Sequence, residues 1–130
     1  MKHANAILLE KLYADFSEGD MKSVLSACAD NITFNVPGKS PLAGKYTKEN
    51  FVTGFVSKLT ELSGGTLKME VHDILAGDRH ATVLLSDHLE KKGQAIQLRT
   101  VHVWRFENNL PVAWYEYPRD LYSFDSTWSV

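Results

Sequence analysis

The chain is poor in the features that announce the commoner functional classes. It has a single cysteine, Cys28, which excludes an internal disulfide and the usual multi-cysteine zinc sites and suits a reducing compartment. No apolar run approaches the length of a membrane span. The opening segment MKHANAILLEKLYADF has neither the unbroken apolar region nor the small-residue cleavage site of a secretion signal, so a cytoplasmic protein without a membrane partner is expected. Charge of one sign is scarce as well: 14 basic residues against 16 acidic ones leave a formal charge of −2. The basic residues are scattered, so no electrostatic footprint for nucleic acid is present. No glycine-rich phosphate loop or nucleotide fingerprint occurs, and no organic cofactor is implied.

What the chain does have is apolar and aromatic bulk. Of its 130 residues 44% are hydrophobic, including three Trp, five Tyr and six Phe, enough for a core and a pocket in one domain spanning residues 1–130. No internal repeat, low-complexity stretch or linker divides it.

In chain order, Leu9, Leu12, Tyr13 and Phe16 share one face of a helix over Ala4 to Glu18, which Gly19 stops. Asp20 is the expected N-cap of a second helix from Met21 to about Ala29, burying Val24, Leu25 and Cys28. Ile32, Phe34 and Val36 then alternate as a strand that ends at Pro37–Gly38. Lys39 to Tyr46 reads as a surface loop. Thr47 is the expected cap of a third helix to about Leu62, with Phe51, Phe55, Leu59 and Leu62 inward. Every later signal is strand: Leu67 to His72, Ala81 to Leu89, and the two arms of a long hairpin over Gln97 to Tyr117. Helices first and a meander afterwards is an α+β pattern, three N-terminal helices on a curved, mostly antiparallel sheet with a pocket between them.

The hairpin QLRTVHVWRFENNLPVAWYEY carries the one place where ionisable side chains recur on an apolar or aromatic face. Leu98, Thr100, His102, Trp104 and Phe106 share a face by strand alternation. A two-residue turn at Asn108–Asn109 would put Ala113 and Tyr115 on that face. A three-residue loop of Asn108, Asn109 and Leu110 instead opposes Trp104 to Trp114 and His102 to Glu116. The second register is favoured, because it sets a carboxylate beside an imidazole and leaves Pro111 at the loop edge, where its missing N–H matters least. Such a pair can act as a general base with its orienting partner. A buried pair that only satisfies its own hydrogen bonds would use the same residues.

These segments together resemble the NTF2-like superfamily, in its SnoaL-like and ketosteroid-isomerase-like branch. The features that carry the resemblance are EGDMKSVLSACAD before the strand ITFNVPG, the helix TKENFVTGFVSKL, and the late VHVWRF and VAWYEY arms. The resemblance implies a cone of α+β structure around a deep apolar pocket, and a homodimer through the outer face of the sheet. The scaffold hosts enzymes, binding modules and transport factors alike. Set against the steroid isomerases, Leu12 falls where they carry a catalytic Tyr, Val36 where they carry the general-base Asp, and His102 where they carry a protonated Asp, so steroid isomerisation is not expected. Set against enzymes similar to limonene-epoxide hydrolase, an Arg-x-Asp becomes Thr100 and His102, and the last-strand Asp becomes Glu116. Polyketide-cyclase relatives also use a late-strand acid with a nearby His.

The leading expectation is a small-molecule enzyme for proton transfer, cyclisation or hydration of an apolar carbonyl-type substrate. His102 is its base and Glu116 its partner or alternate acid. Tyr13 and Thr100 are candidate hydrogen-bond donors, and Phe34, Val36, Phe55, Trp104 and Trp114 candidate pocket walls. The alternatives are a non-catalytic binder of an apolar ligand and a dimeric module with a vestigial pocket. His3, His72 and His80 read as solvated. His88 faces the pocket or the solvent depending on one residue of register, and only inward could it join His102 and Glu116 on a metal; no metal is assigned. Cys28 reads as a small buried hydrophobe. Tyr122, Phe124 and Trp128 of the tail need cover, either across the pocket mouth or on a second subunit.

Overall fold

In the computed structural model, which describes residues 1–130, four helices lie against one six-stranded sheet of order β2-β1-β6-β5-β4-β3. Helix α1 (Ala4–Ser17) buries Leu9, Leu12 and Tyr13. Asp20 accepts from the Ser23 amide at 3.1 Å and opens α2 (Met21–Ser26), which stops three residues short of the expected end. The strand β1 (Thr33–Val36) buries Phe34 and Val36, with Ile32 covered just before it.

The stretch expected as a surface loop ends in a strand, β2 (Gly44–Thr47), antiparallel to β1 with Tyr46 opposite Phe34. Four residues on a sheet edge are too few to show an alternation, and Pro41 and Gly44 mask what there is. The third helix also begins later than its expected cap. Asn50 Oδ1 accepts from the Thr47 amide at 2.7 Å, so Thr47 is a donor here and caps nothing. A π-helical turn over Phe51–Val56 then continues as α3 (Ser57–Ser63). Its i→i+5 bonding widens the turn, so that Phe51 and Phe55, four residues apart, stay on the buried face.

The remaining strands are β3 (Lys68–Ala76), β4 (His80–Lys91), β5 (Gln94–Glu107) and β6 (Leu110–Pro118). All neighbours run antiparallel except β1 and β6, which are parallel, with Phe34 beside Trp114. On the edge strand β3 a bulge at His72 interrupts the ladder, and Val71 beside it is exposed.

The central hairpin reaches the favoured pairing by a different route. Its turn has two residues, Asn108 and Asn109, at φ of 50° and 64°, and Glu107 pairs with Leu110 and Phe106 with Pro111. One residue further Arg105 already pairs with Ala113, so Val112 has no partner of its own. Pro111 cannot donate to the ladder, and the bulge forms beside it. From there on the register is the one a three-residue loop would have produced: Trp104 opposite Trp114, His102 opposite Glu116.

The tail forms a helix that the sequence did not announce, α4 (Leu121–Thr127), capped by Asp120, which accepts from the Tyr122 amide at 3.0 Å. Phe124 and Trp128 find cover within the chain, where both line the hollow, while Tyr122 stays exposed. Two polar latches hold the helix down. Lys91 Nζ donates to the carbonyls of Thr127 and Ser129 at 2.7 and 2.6 Å, and the Asp125 carboxylate accepts from the Lys39 amide at 3.1 and 3.0 Å. At the other end His3, expected as a solvated side chain, caps α1: its Nδ1 accepts from the Asn5 amide at 3.0 Å and its Nε2 meets Asp78 at 2.8 Å.

The Asp125 latch requires glycine at position 38, where φ is +94° and a Cβ would stand 2.1 Å from Asp125 Oδ1. Gly38→Ala should therefore cost about 1–3 kcal/mol in urea unfolding. It should cost less on an Asp125→Ala background, and an equal cost in both backgrounds would contradict this origin.

Candidate functional site

Strand alternation and the bulge at Val112 together turn a single set of side chains toward the helices. From β5 come Thr100, His102 and Trp104, from β6 Trp114 and Glu116, and from β4 Val83, Leu85 and Asp87. Helix α1 brings Tyr13 over them, the π-helical turn brings Phe51 and Phe55, and α4 brings Phe124 and Trp128. They enclose a hollow lined by 18 residues, 15 of them hydrophobic; the other three are Asp87, His102 and Glu116. Its volume is about 60 Å³, several times the roughly 10–15 Å³ that one water needs by a comparable measure. That is room for a few waters, or for the head of a small molecule.

The three polar groups are not equivalent. His102 is 5% exposed and bonded at both ring nitrogens. The Tyr13 hydroxyl lies 2.6 Å from its Nδ1, and Glu116 Oε2 lies 3.2 Å from its Nε2. The chain of donors fixes the tautomer. Trp104 Nε1–H can only donate, and it does so to the Tyr13 oxygen at 2.9 Å. Burial pushes the Tyr13 phenol far above its ordinary range, so Tyr13 keeps its proton and directs it to His102 Nδ1. Nδ1 then accepts, and Nε2–H is left to donate to Glu116.

Glu116 Oε2 receives a second donor, the Thr100 hydroxyl, in a short hydrogen bond. The other oxygen, Oε1, has no partner in the protein. No fully enclosed polar side-chain atom lacks a partner, so Oε1 is reached by solvent, through the hollow that Glu116 lines. The result is a carboxylate held by one oxygen and presented by the other.

Asp87 differs again. It is 7% exposed and lines the hollow, yet neither of its oxygens makes a hydrogen bond within the chain. Burial, and after it the charge of Glu116, push its carboxyl up to about 7. Sequence reasoning left this position unassigned between two registers of β4. The structure turns Asp87 and Leu89 inward and His88 outward, where His88 Nε2 meets Glu70 at 2.9 Å. A signal existed: a carboxylate interrupts the apolar period Ala81, Val83, Leu85, Leu89, where a solvated face would carry polar residues throughout.

Of the other residues singled out from the sequence, Tyr13, Phe34, Phe55, Trp104 and Trp114 line the hollow. Val36 and Thr100 are buried outside its lining, Val36 in the core and Thr100 behind Glu116. Aromatic walls stand close to the imidazole, with the Trp114 ring 4.7 Å from that of His102, edge to face. Cys28 is buried beside the Val24 carbonyl, and burial raises its thiol to about 12, which keeps it unreactive. No group of three or more His, Cys, Asp or Glu side chains is placed to hold a metal ion.

Comparison with known proteins adds to this geometry. The SnoaL-like domain family matches residues 9–114. No curated protein matches the chain by sequence. Among solved structures it is similar to Bal32a, from a soil-derived mobile gene cassette, at 26% identity and a TM-score of 0.85 over 95% of each chain. It shares its fold with TerC, co-crystallised with polyporic acid, at 18% identity and a TM-score of 0.83 over 95% of this chain and 97% of that one. A NTF2-like protein of Burkholderia pseudomallei has the same fold at 20% identity and a TM-score of 0.81, over 98% of this chain and all of the other.

The raised Asp87 carboxyl has a consequence for stability. The native state holds a proton that the unfolded chain releases near its ordinary value of 3.8, so stability is lost as the pH rises from there to about 7 and is level beyond. Asp87→Asn removes this dependence and should be more stable than wild type at pH 8, on the order of 2 kcal/mol. Urea unfolding at pH 5, 6.5 and 8 measures it. A variant that keeps the wild-type slope would show that the carboxyl is not raised.

Proposed function

The chain belongs to the family of SnoaL-like domains, and from that premise we propose that it is an enzyme that moves a proton on an apolar, carbonyl-bearing small molecule. Glu116 is the base and His102 the residue that orients it. The division of labour is the reverse of the one expected from the sequence. The observation that carries it is the free Oε1 of Glu116: both nitrogens of His102 are occupied by Tyr13 and Glu116, whereas Oε1, on a carboxylate fixed through its other oxygen, offers unbonded lone pairs to the hollow.

The step follows from that placement. A carbon next to the carbonyl gives its proton to Oε1, the electron pair of the broken C–H bond stays on the substrate as an enolate, and the same carboxyl returns the proton at a later position. Thr100 and His102 hold Oε2 throughout, so the carboxylate does not rotate as its free oxygen takes up the proton. The apolar walls keep bulk water from competing for the enolate. That TerC was co-crystallised with polyporic acid supports a small molecule as the occupant of this fold's hollow. Leu12 and Val36, apolar where the steroid isomerases carry Tyr and Asp, argue against that particular reaction.

A second reading is a binding protein without turnover, favoured by the complete hydrogen bonding of His102, which leaves the imidazole no proton to exchange with a ligand. One experiment separates the two. Apolar cyclic and aryl ketones are incubated with the protein in deuterated water, and loss of the proton signals beside the carbonyl is followed by NMR. The enzyme reading expects catalysed exchange that falls about 100-fold or more in Glu116→Gln and less in Thr100→Val. Line broadening of a ketone without exchange would favour the binding reading, and exchange that survives Glu116→Gln would remove Glu116 from the role of base.

A further inference from the structure

Asp87 takes no part in the step just described, and its surroundings leave its carboxylate unanswered. It is nine-tenths buried, lines the hollow and accepts no hydrogen bond from the chain. The other buried polar side chains around it are bonded: Thr100 to Glu116, His102 to Tyr13 and Glu116, and Ser86, its neighbour in sequence, to His72. No fully enclosed polar side-chain atom lacks a partner, so the Asp87 oxygens are reached from the hollow, where a donor from outside the chain can meet them.

The charge of the hollow says which kind of group. Its lining holds two carboxyl groups, one imidazole whose donor chain makes it the neutral tautomer, and no Lys or Arg. A ligand that enters as an anion would meet the Glu116 carboxylate with no cationic side chain to offset it. The rest of the lining presents aromatic rings, Tyr13, Trp104 and Trp114 among them, and aromatic faces attract cations. A metal ion does not fit, because the three polar side chains do not converge as a ligand set.

We infer that the natural ligand carries a protonated amine on an apolar body, and that Asp87 receives the ammonium group while Glu116 faces the reacting carbon. Asp87 stands on β4 and Glu116 on β6, with β5 between them. Asp87 pairs with Leu98 and Glu116 with His102, four residues further along β5, so the strand rise adds roughly 13 Å along the sheet to roughly 10 Å across it, or roughly 16 Å between the two backbones. Both side chains line the same hollow, which brings the carboxyls nearer, and an amine separated from the carbonyl by an extended apolar body spans what remains. The raised carboxyl of Asp87 is consistent with the assignment: in the empty hollow it holds a proton where the ligand would bring a cation. The inference rests on the reading of the hollow as a small-molecule site and narrows the class of molecule.

The test uses three probes of one shape, 2-phenylethylamine, 2-phenylethanol and phenylacetate, titrated by calorimetry into the wild-type chain and into Asp87→Asn. The amine should bind the wild type about tenfold or more tighter than the alcohol, with phenylacetate weakest. In Asp87→Asn that advantage should vanish while the affinity for the alcohol changes little, which also shows that the variant is folded. If the alcohol binds the wild type as tightly as the amine, or the preference for the amine survives in Asp87→Asn, the assignment is overturned while the small-molecule reading stands. If none of the three binds the wild type, both fall.

Discussion

One unpaired residue decides which side chains meet. Without Val112 standing out of register, the two-residue turn at Asn108–Asn109 would carry Trp114 and Glu116 to the outer face of the sheet, because a shift of one residue reverses every side chain on a strand. His102 would then look into the hollow alone. The bulge is placed by Pro111, which has no N–H for the ladder, and its carbonyl accepts from the Ala29 amide at 2.9 Å. The connection between α2 and β1 is thereby tied to the same point of the hairpin that sets the register.

From that register the hydrogen-bond chain follows in one direction only. Trp104 cannot accept, Tyr13 keeps its proton, and so His102 donates from Nε2 to Glu116, which also takes the Thr100 hydroxyl. Helix α1 and strands β5 and β6 thus share a network whose members are all buried, in surroundings where a lost partner is expensive. What the network leaves over is chemically more telling than what it contains. Oε1 of Glu116 and the carboxyl of Asp87 are the unpartnered polar atoms of the hollow, and both are carboxylate oxygens. The site is therefore a proton acceptor beside a second carboxyl that no group of the chain answers, walled by aromatic rings.

Much of this was legible beforehand. The period of two along β5 placed Thr100, His102 and Trp104 on one face, and the demand for a partner on His102 selected Glu116. The hairpin's pairing was read correctly although its turn was not, since a three-residue loop and a two-residue turn followed by a bulge give the same register beyond Arg105. Sequence patterns record which residues share a face, not how the chain absorbs the odd residue. Asp87 escaped because an isolated strand of alternating pattern has no fixed inside until its neighbours are known. Strand β2 and helix α4 escaped because four and seven residues carry too little periodicity, and both form by docking: Tyr46 onto the Leu42 carbonyl at 2.7 Å, and α4 through Lys91 and Asp125. Thr47 had the right chemistry for a helix cap, but Asn50, nearer the helix, bonds back to it instead.

The most direct measurement compares tryptophan emission and cooperative unfolding in two variants of the hairpin. Deleting Val112 alone removes only the odd residue and leaves Arg105 opposite Ala113 without a bulge, so Trp114 and Glu116 should stay inward, with buried emission and a sharp unfolding transition. Deleting Val112 and Ala113 together removes a paired residue as well, sets Trp114 opposite Arg105, and should turn Trp114 and Glu116 outward, shifting the emission to the red and abolishing the sharp transition. If the single deletion already gives the red shift, or the double deletion keeps native emission and a sharp transition, Val112 is not the residue that sets the register, and the account built on that placement is wrong.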